Sequence, residues 1–207
     1  MSSNGMDGLH RVCVKIYASE HQIEDDAALF VPIFHEWIRD CVLDLVMLDV
    51  ADYAHAPESP GIMLVCHEAS FSLDRSDGRF GLLVQRRTPL EGGAVDVISS
   101  TIRLAFEVAA RLERDPRVSG KVRFDPSRLR LEANDRLLAP NSDDGYESFG
   151  PLVRKAARVA YGGSAPIVER VYNDPRDRLA VDVMLESAAD VQEQLAALTP
   201  VLPQSSV

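Results

Sequence analysis

The residues best suited to chemistry cluster between Leu45 and Phe71: Asp49, Asp52, Tyr53, His55, His67 and Glu68, set among apolar neighbours. Carboxylates and imidazoles in such a setting suit two chemistries. A carboxylate can orient a histidine as a general base, or clustered Asp, Glu and His can ligate a metal. The catalytic candidates are Asp49, Asp52, His55, His67 and Glu68. Their order is Asp-x-x-Asp-x-x-His followed by a separate His-Glu, which matches no specific ligand pattern. His-Glu also lacks the second histidine four residues on that a metalloprotease helix supplies. These positions therefore assign no metal or cofactor.

Strand geometry limits how these groups can meet, because successive side chains point to opposite faces. Asp49, Ala51 and Tyr53 share one face of a strand, and Met63, Val65, His67 and Ala69 share one face of the next. A hairpin centred near Glu58 places Asp49 opposite His67, Asp52 near Leu64 and Glu68 across from Leu48, with His55 in the loop. The expected pair is Asp49–His67, either an acid–base dyad or a structural ion pair. Both faces of the hairpin are apolar, with Leu45, Met47, Met63 and Val65 against Val46, Leu48, Val50, Ile62 and Leu64. An antiparallel sheet with one wet face alternates more cleanly. Helices must cover both faces, or a second subunit must cover one, and a homodimer is the expectation.

The surrounding elements follow from periodicity. Val12, Val14 and Ile16 alternate with Lys15 and Tyr17, which predicts a strand. After Asp25-Asp26, the residues Phe30, Ile33, Phe34, Trp37 and Ile38 recur at helical steps, with Pro32 in the first turn and His35 off the stripe. Strands are expected over Leu45–Tyr53, Met63–Leu73 and Phe80–Arg87, with Ser76-Asp77-Gly78 as a tight turn. Gly92-Gly93 opens a helix ended by Asp115-Pro116. Short strands follow near Lys121–Asp125 and Arg128–Ala133, then a polar loop from Asn134 to Gly145 and a helix from about Gly150 to Tyr161. Strands near Ile167–Tyr172 and Arg178–Glu186 precede a last helix that opens with Ser187 and Asp190. The sequence thus reads as an α+β fold, mainly an antiparallel sheet with about four helices in the order βαβββα-ββαββα. One domain over residues 1–207 is expected, with 115–117 as the boundary of an alternative two-half organisation and residues 1–9 and 200–207 as flexible ends.

Charge and cysteines narrow the function classes. Among 207 residues, 22 basic and 32 acidic give a net charge of −10. Nucleic-acid affinity comes largely from clustered Lys and Arg neutralising phosphates. Here the lysines are only Lys15, Lys121 and Lys155, and the arginines are interleaved with acids. No nucleic-acid partner is expected, and no membrane partner, since anionic lipids repel such a chain. Cys13, Cys41 and Cys66 lie in apolar segments without a CxxC, which fits a reducing, cytoplasmic setting. No GxSxG, phosphate loop or dinucleotide fingerprint is present. Two functions remain, and the sequence leaves open whether the chain is an enzyme. One is a soluble, non-catalytic binding or assembly protein that joins itself or a protein partner. The other is a small-molecule enzyme using Asp49 and His67, assisted by Asp52, His55 or Glu68, with or without a metal.

Overall fold

Alternation in β1 (Val12–His21) sends Val12, Val14 and Ile16 to one side, all fully buried, and Cys13, Lys15 and Tyr17 to the other. Such two-sidedness recurs in several other strands and decides where the helices dock. The structure is a computed structural model that describes residues 6, 8–21, 29–53 and 61–198. After β1 come α1 (Phe30–Asp40), β2 (Met47–Asp52), β3 (Ile62–Cys66), β4 (Ala69–Asp74), β5 (Gly81–Arg86) and α2 (Ala94–Arg114). Then follow β6 (Val122–Ala133), α3 (Asp143–Ala160), β7 (Ile167–Val171), β8 (Ala180–Met184) and α4 (Val191–Leu198). The strands form one eight-stranded antiparallel sheet in the order β2-β3-β4-β5-β1-β6-β8-β7. Four helices pack on it, so the fold is α+β, as the alternation implied.

The register lines up one apolar row after another beneath the helices. Val14 pairs with Val84 and Leu131, Val84 with Phe71, and Phe71 with Leu64, and all five are at 0% exposure. Burying an aromatic or branched side chain of this kind contributes about 1.5–3 kcal/mol. The central helix α2 packs on β1, β5 and β6, and also on α3 and α4. Its stripe of Ile98, Ile102, Ala105, Phe106 and Ala109 is fully buried. Helix α1 lies over β2 and β3 and buries Phe30, Ile33, Phe34 and Trp37. These residues join one continuous core. Of the two covers that the sequence allowed for the β2–β3 hairpin, helices on both faces are not present among the described residues. Ile62, Leu64 and Cys66 are sealed, while Met63 and Val65 are only partly covered.

Several boundaries differ from the sequence expectation. The run Met63–Leu73 is two strands, because the chain reverses at His67-Glu68. The His67 N–H donates to Val46 O at 2.8 Å, and the Arg87 N–H donates to Glu68 O at 2.9 Å. Conversely, β6 is one long strand, and its pairing with β1 shifts register between Ile16 and Ala18. A bulge absorbs Pro126 there, which is how a residue without an N–H enters a ladder. Helix α3 starts at Asp143, not near Gly150: the Ser142 hydroxyl accepts from the Gly145 N–H at 3.1 Å. Pro151 thus sits inside the helix instead of opening it. Asp190, not Ser187, caps α4 through the Gln192 and Glu193 N–H groups. Cys41 is exposed in a left-handed conformation at the end of α1, unlike the buried Cys13 and Cys66. Among the described residues, no helix is long and apolar enough to cross a membrane.

Candidate functional site

Strand β2 is an edge of the sheet, so one side of its backbone has no strand neighbour among the described residues. Its pairing with β3 sets Asp49 against Val65 and Asp52 against Ile62. Asp49 therefore does not lie opposite His67, nor Asp52 near Leu64. The expected register centred the hairpin near Glu58, whereas the regular pairs from Asp49–Val65 to Asp52–Ile62 centre it one residue earlier and so shift every partner by two. In the structure an irregularity between Met47 and Asp49 leaves Leu48 without a partner, and β3 ends before His67. His67 is exposed in the β3–β4 turn, and the Asp49–His67 pair is not formed. His55 lies outside the described residues.

Two of the candidate acids instead serve the β2 backbone. The Tyr53 N–H crosses to Gly61 O at 3.0 Å, so alternate residues face β3 and the Val50 N–H points outward. Asp49 takes that N–H on its Oδ1 at 2.8 Å. Glu68 takes the Val46 N–H on its Oε2 at 3.1 Å and so ties the start of β2 to the β3–β4 turn. Asp52 is exposed at the end of β2. Among the described residues, no group of three or more His, Cys, Asp or Glu side chains is placed to hold a metal.

The β2 margin is otherwise apolar. Val46, Leu48 and Tyr53 are 56%, 55% and 45% exposed. Beside them opens a cleft of about 610 Å³ whose apolar wall is Val42, Leu43, Leu45 and Val46. Its polar rim includes Glu68 and, from α2, Glu107 and Arg111, which pair with each other at 3.0 Å. A projecting Leu48 and a receiving cleft thus lie side by side.

A second polar cluster occupies the sheet face away from the helices, and sequence reasoning missed it. Lys15 is only 3% exposed, and its Nζ reaches Asp74 at 2.6 Å and Asp77 at 2.5 Å. The Tyr17 hydroxyl donates to Asp77 at 2.7 Å. Arg130 donates to Asp182 through Nε at 2.8 Å and NH2 at 3.0 Å, and also reaches Asp77 at 3.3 Å. The register explains the convergence, since Lys15 pairs with Arg130 and Arg130 with Asp182. Burial alone would raise the Asp77 carboxyl, but the hydrogen bonds from Lys15 and Tyr17 outweigh it and hold it below the usual range. Burial and the Asp77 hydrogen bond raise the Tyr17 phenol. Burial, reinforced by Glu132, pushes the Cys13 thiol up to about 12. The available sequence signal was a lysine between Val14 and Ile16 on an otherwise apolar strand. No local spacing connects position 15 to positions 74, 77, 130 and 182. Comparison with known proteins adds no relative from which a role could be carried over: no protein family, no curated protein and no solved structure matches the chain.

Proposed function

We propose that the chain is a non-catalytic binding or assembly protein that associates with a second copy of itself through the β2 margin. The observation that carries this reading is the exposure of Val46, Leu48 and Tyr53 in and beside one edge strand, next to a cleft that has one apolar wall and a polar rim. A two-fold contact needs a self-complementary patch. Here Leu48 of each copy enters the cleft of the other, so projection and cleft are used twice. Each such side chain removed from water contributes about 1.5–3 kcal/mol, offset by the cost of association, which sets micromolar rather than nanomolar affinity. The three free cysteines, two of them buried, fit a reducing compartment.

The enzyme reading has less support. Its acid–base pair requires Asp49 beside His67, whereas Asp49 faces Val65 and holds a backbone N–H. Sedimentation or light scattering across the micromolar range tests the assembly reading. The expected result is a concentration-dependent dimer that Leu48→Asp converts to monomer without changing the circular dichroism. A wild-type chain that stays monomeric at high micromolar concentration overturns it.

A further inference from the structure

The open face of the sheet carries a cleft of about 400 Å³ between the β7–β8 turn and the β4–β5 turn, separate from the β2 margin. Arg130 and Asp77 line it but are already matched, Arg130 by Asp182 and Asp77 by Lys15 and Tyr17. Arg178 is different. Its NH1 is anchored in the floor, donating to Glu132 at 3.2 Å and lying 3.6 Å from Cys13 Sγ. Its Nε and NH2 make no hydrogen bond among the described residues, and the side chain is 40% exposed. The backbone that presents it is braced: Asn173 donates to the Arg178 carbonyl at 3.2 Å, and Asn141 donates to Asn173 at 2.8 Å. The free edge of the guanidinium is therefore held in place before any ligand arrives.

Two acidic groups that line the same cleft have capacity to spare. Glu132 spends one oxygen on Arg178, and its other oxygen accepts nothing among the described residues. The exposed Asp177 carboxylate also accepts no hydrogen bond among the described residues. A bare anion would share the cleft with Glu132, Asp177 and Asp77, and a bare cation would share it with the guanidinium. A ligand carrying both charges a few bonds apart satisfies both. Val171 and Ala180 supply an apolar stretch of wall beside them.

We propose that this cleft binds a free α-amino acid as the zwitterion. The α-carboxylate takes two hydrogen bonds from Nε and NH2 of Arg178, in the fork geometry that guanidinium offers carboxylates. The ammonium sits against Glu132 and Asp177, and the side chain lies over Val171 and Ala180. Thermal unfolding and isothermal titration with L-leucine, L-glutamine and L-lysine test this, with acetate and methylamine as half-ligands. At least one amino acid raises the melting temperature and binds, and neither half-ligand does so alone. Arg178→Gln weakens that binding by more than about tenfold. Asp177→Asn, at an exposed side chain that makes no hydrogen bond among the described residues, weakens it as well and serves if the Arg178 variant fails to fold. The proposal is overturned if none of the three amino acids binds. It is equally overturned if binding survives both substitutions, or if acetate binds as tightly as the amino acid, which would make this a simple anion site.

Discussion

Lys15 shows how a single residue can be conspicuous in a sequence while its role stays hidden. Its alternation with Val14 and Ile16 placed it correctly on the face opposite the core, but a lysine there reads as solvated until its partners are known. In the fold it is sealed, with Asp74 at 2% exposure beside it and Gly81 behind it. A Cβ at position 81 would stand 2.6 Å from Ile16 O and 3.0 Å from Lys15 Cε, so the site admits only glycine there. Removing one member of a buried ion pair strands the other charge and typically costs about 3–5 kcal/mol, whereas replacing both with apolar groups is often close to neutral. Ser76 softens the loss slightly by donating to Asp74 at 3.0 Å. Lys15→Met should therefore lower the urea-unfolding free energy by about 3 kcal/mol or more, and the Lys15→Met/Asp74→Leu double variant should recover part of it, since Asp77 loses Lys15 in both but keeps Tyr17 and Arg130. A single variant within about 1 kcal/mol of wild type would mean that Asp74 finds other compensation and that the pair is not buried as described.

At the scale of elements, the sequence located β2 but not its register, and the candidate site depended on register. The hairpin is centred one residue earlier than its loop suggested, which sets Asp49 against Val65 and not His67, and an irregularity at Leu48 then ends the regular pairing. The turn at His67-Glu68 was equally unreadable, since neither residue is a turn former, and backbone bonds to Val46 and Arg87 hold it instead. The acids that looked catalytic have a role that edge strands require. An outward N–H on an edge is a template for another strand, and charge and bulges are the usual protection. Asp49 provides the charge and takes the Val50 N–H, and the Leu48 bulge breaks the line. This protection permits association through side chains but resists open-ended strand addition. Asp49→Val removes both the cap and the charge, and on warming it should scatter light sooner and bind thioflavin T more than wild type. Asp49→Asn keeps the hydrogen bond and should fall between them. If Asp49→Val aggregates no faster than wild type, the carboxylate is not what guards this edge.

At the scale of the molecule, the element count was legible and the connection between halves was not. Each half offers a similar set of strands and helices, and Asp115-Pro116 looks like a seam. Yet β1, the first strand in the chain, sits mid-sheet, pairing with β5 on one side and β6 on the other. No local pattern announces that a strand will pair across more than a hundred residues. The seam itself is tied back: Arg117 donates to Asp115 at 2.7 Å and to Glu36 of α1 at 2.6 Å. Helix α2 reinforces the link by packing on β5, β1 and β6 together. A half without the other would expose the length of β1 and strip one side of α2, so neither half buries enough apolar surface to offset its conformational entropy. Unfolding should therefore be one cooperative event. The only tryptophan, Trp37, lies on α1 and reports the first half, whereas far-UV circular dichroism reports helices from both. Their urea transitions should coincide in midpoint and slope, as two-state behaviour requires. Hydrogen exchange should give the slowest amides of β1, β6 and β8 the same opening free energy. A Trp37 transition that separates from the dichroism signal, with β6 and β8 still protected, would show instead that the seam at Asp115-Pro116 divides two units that merely share a sheet.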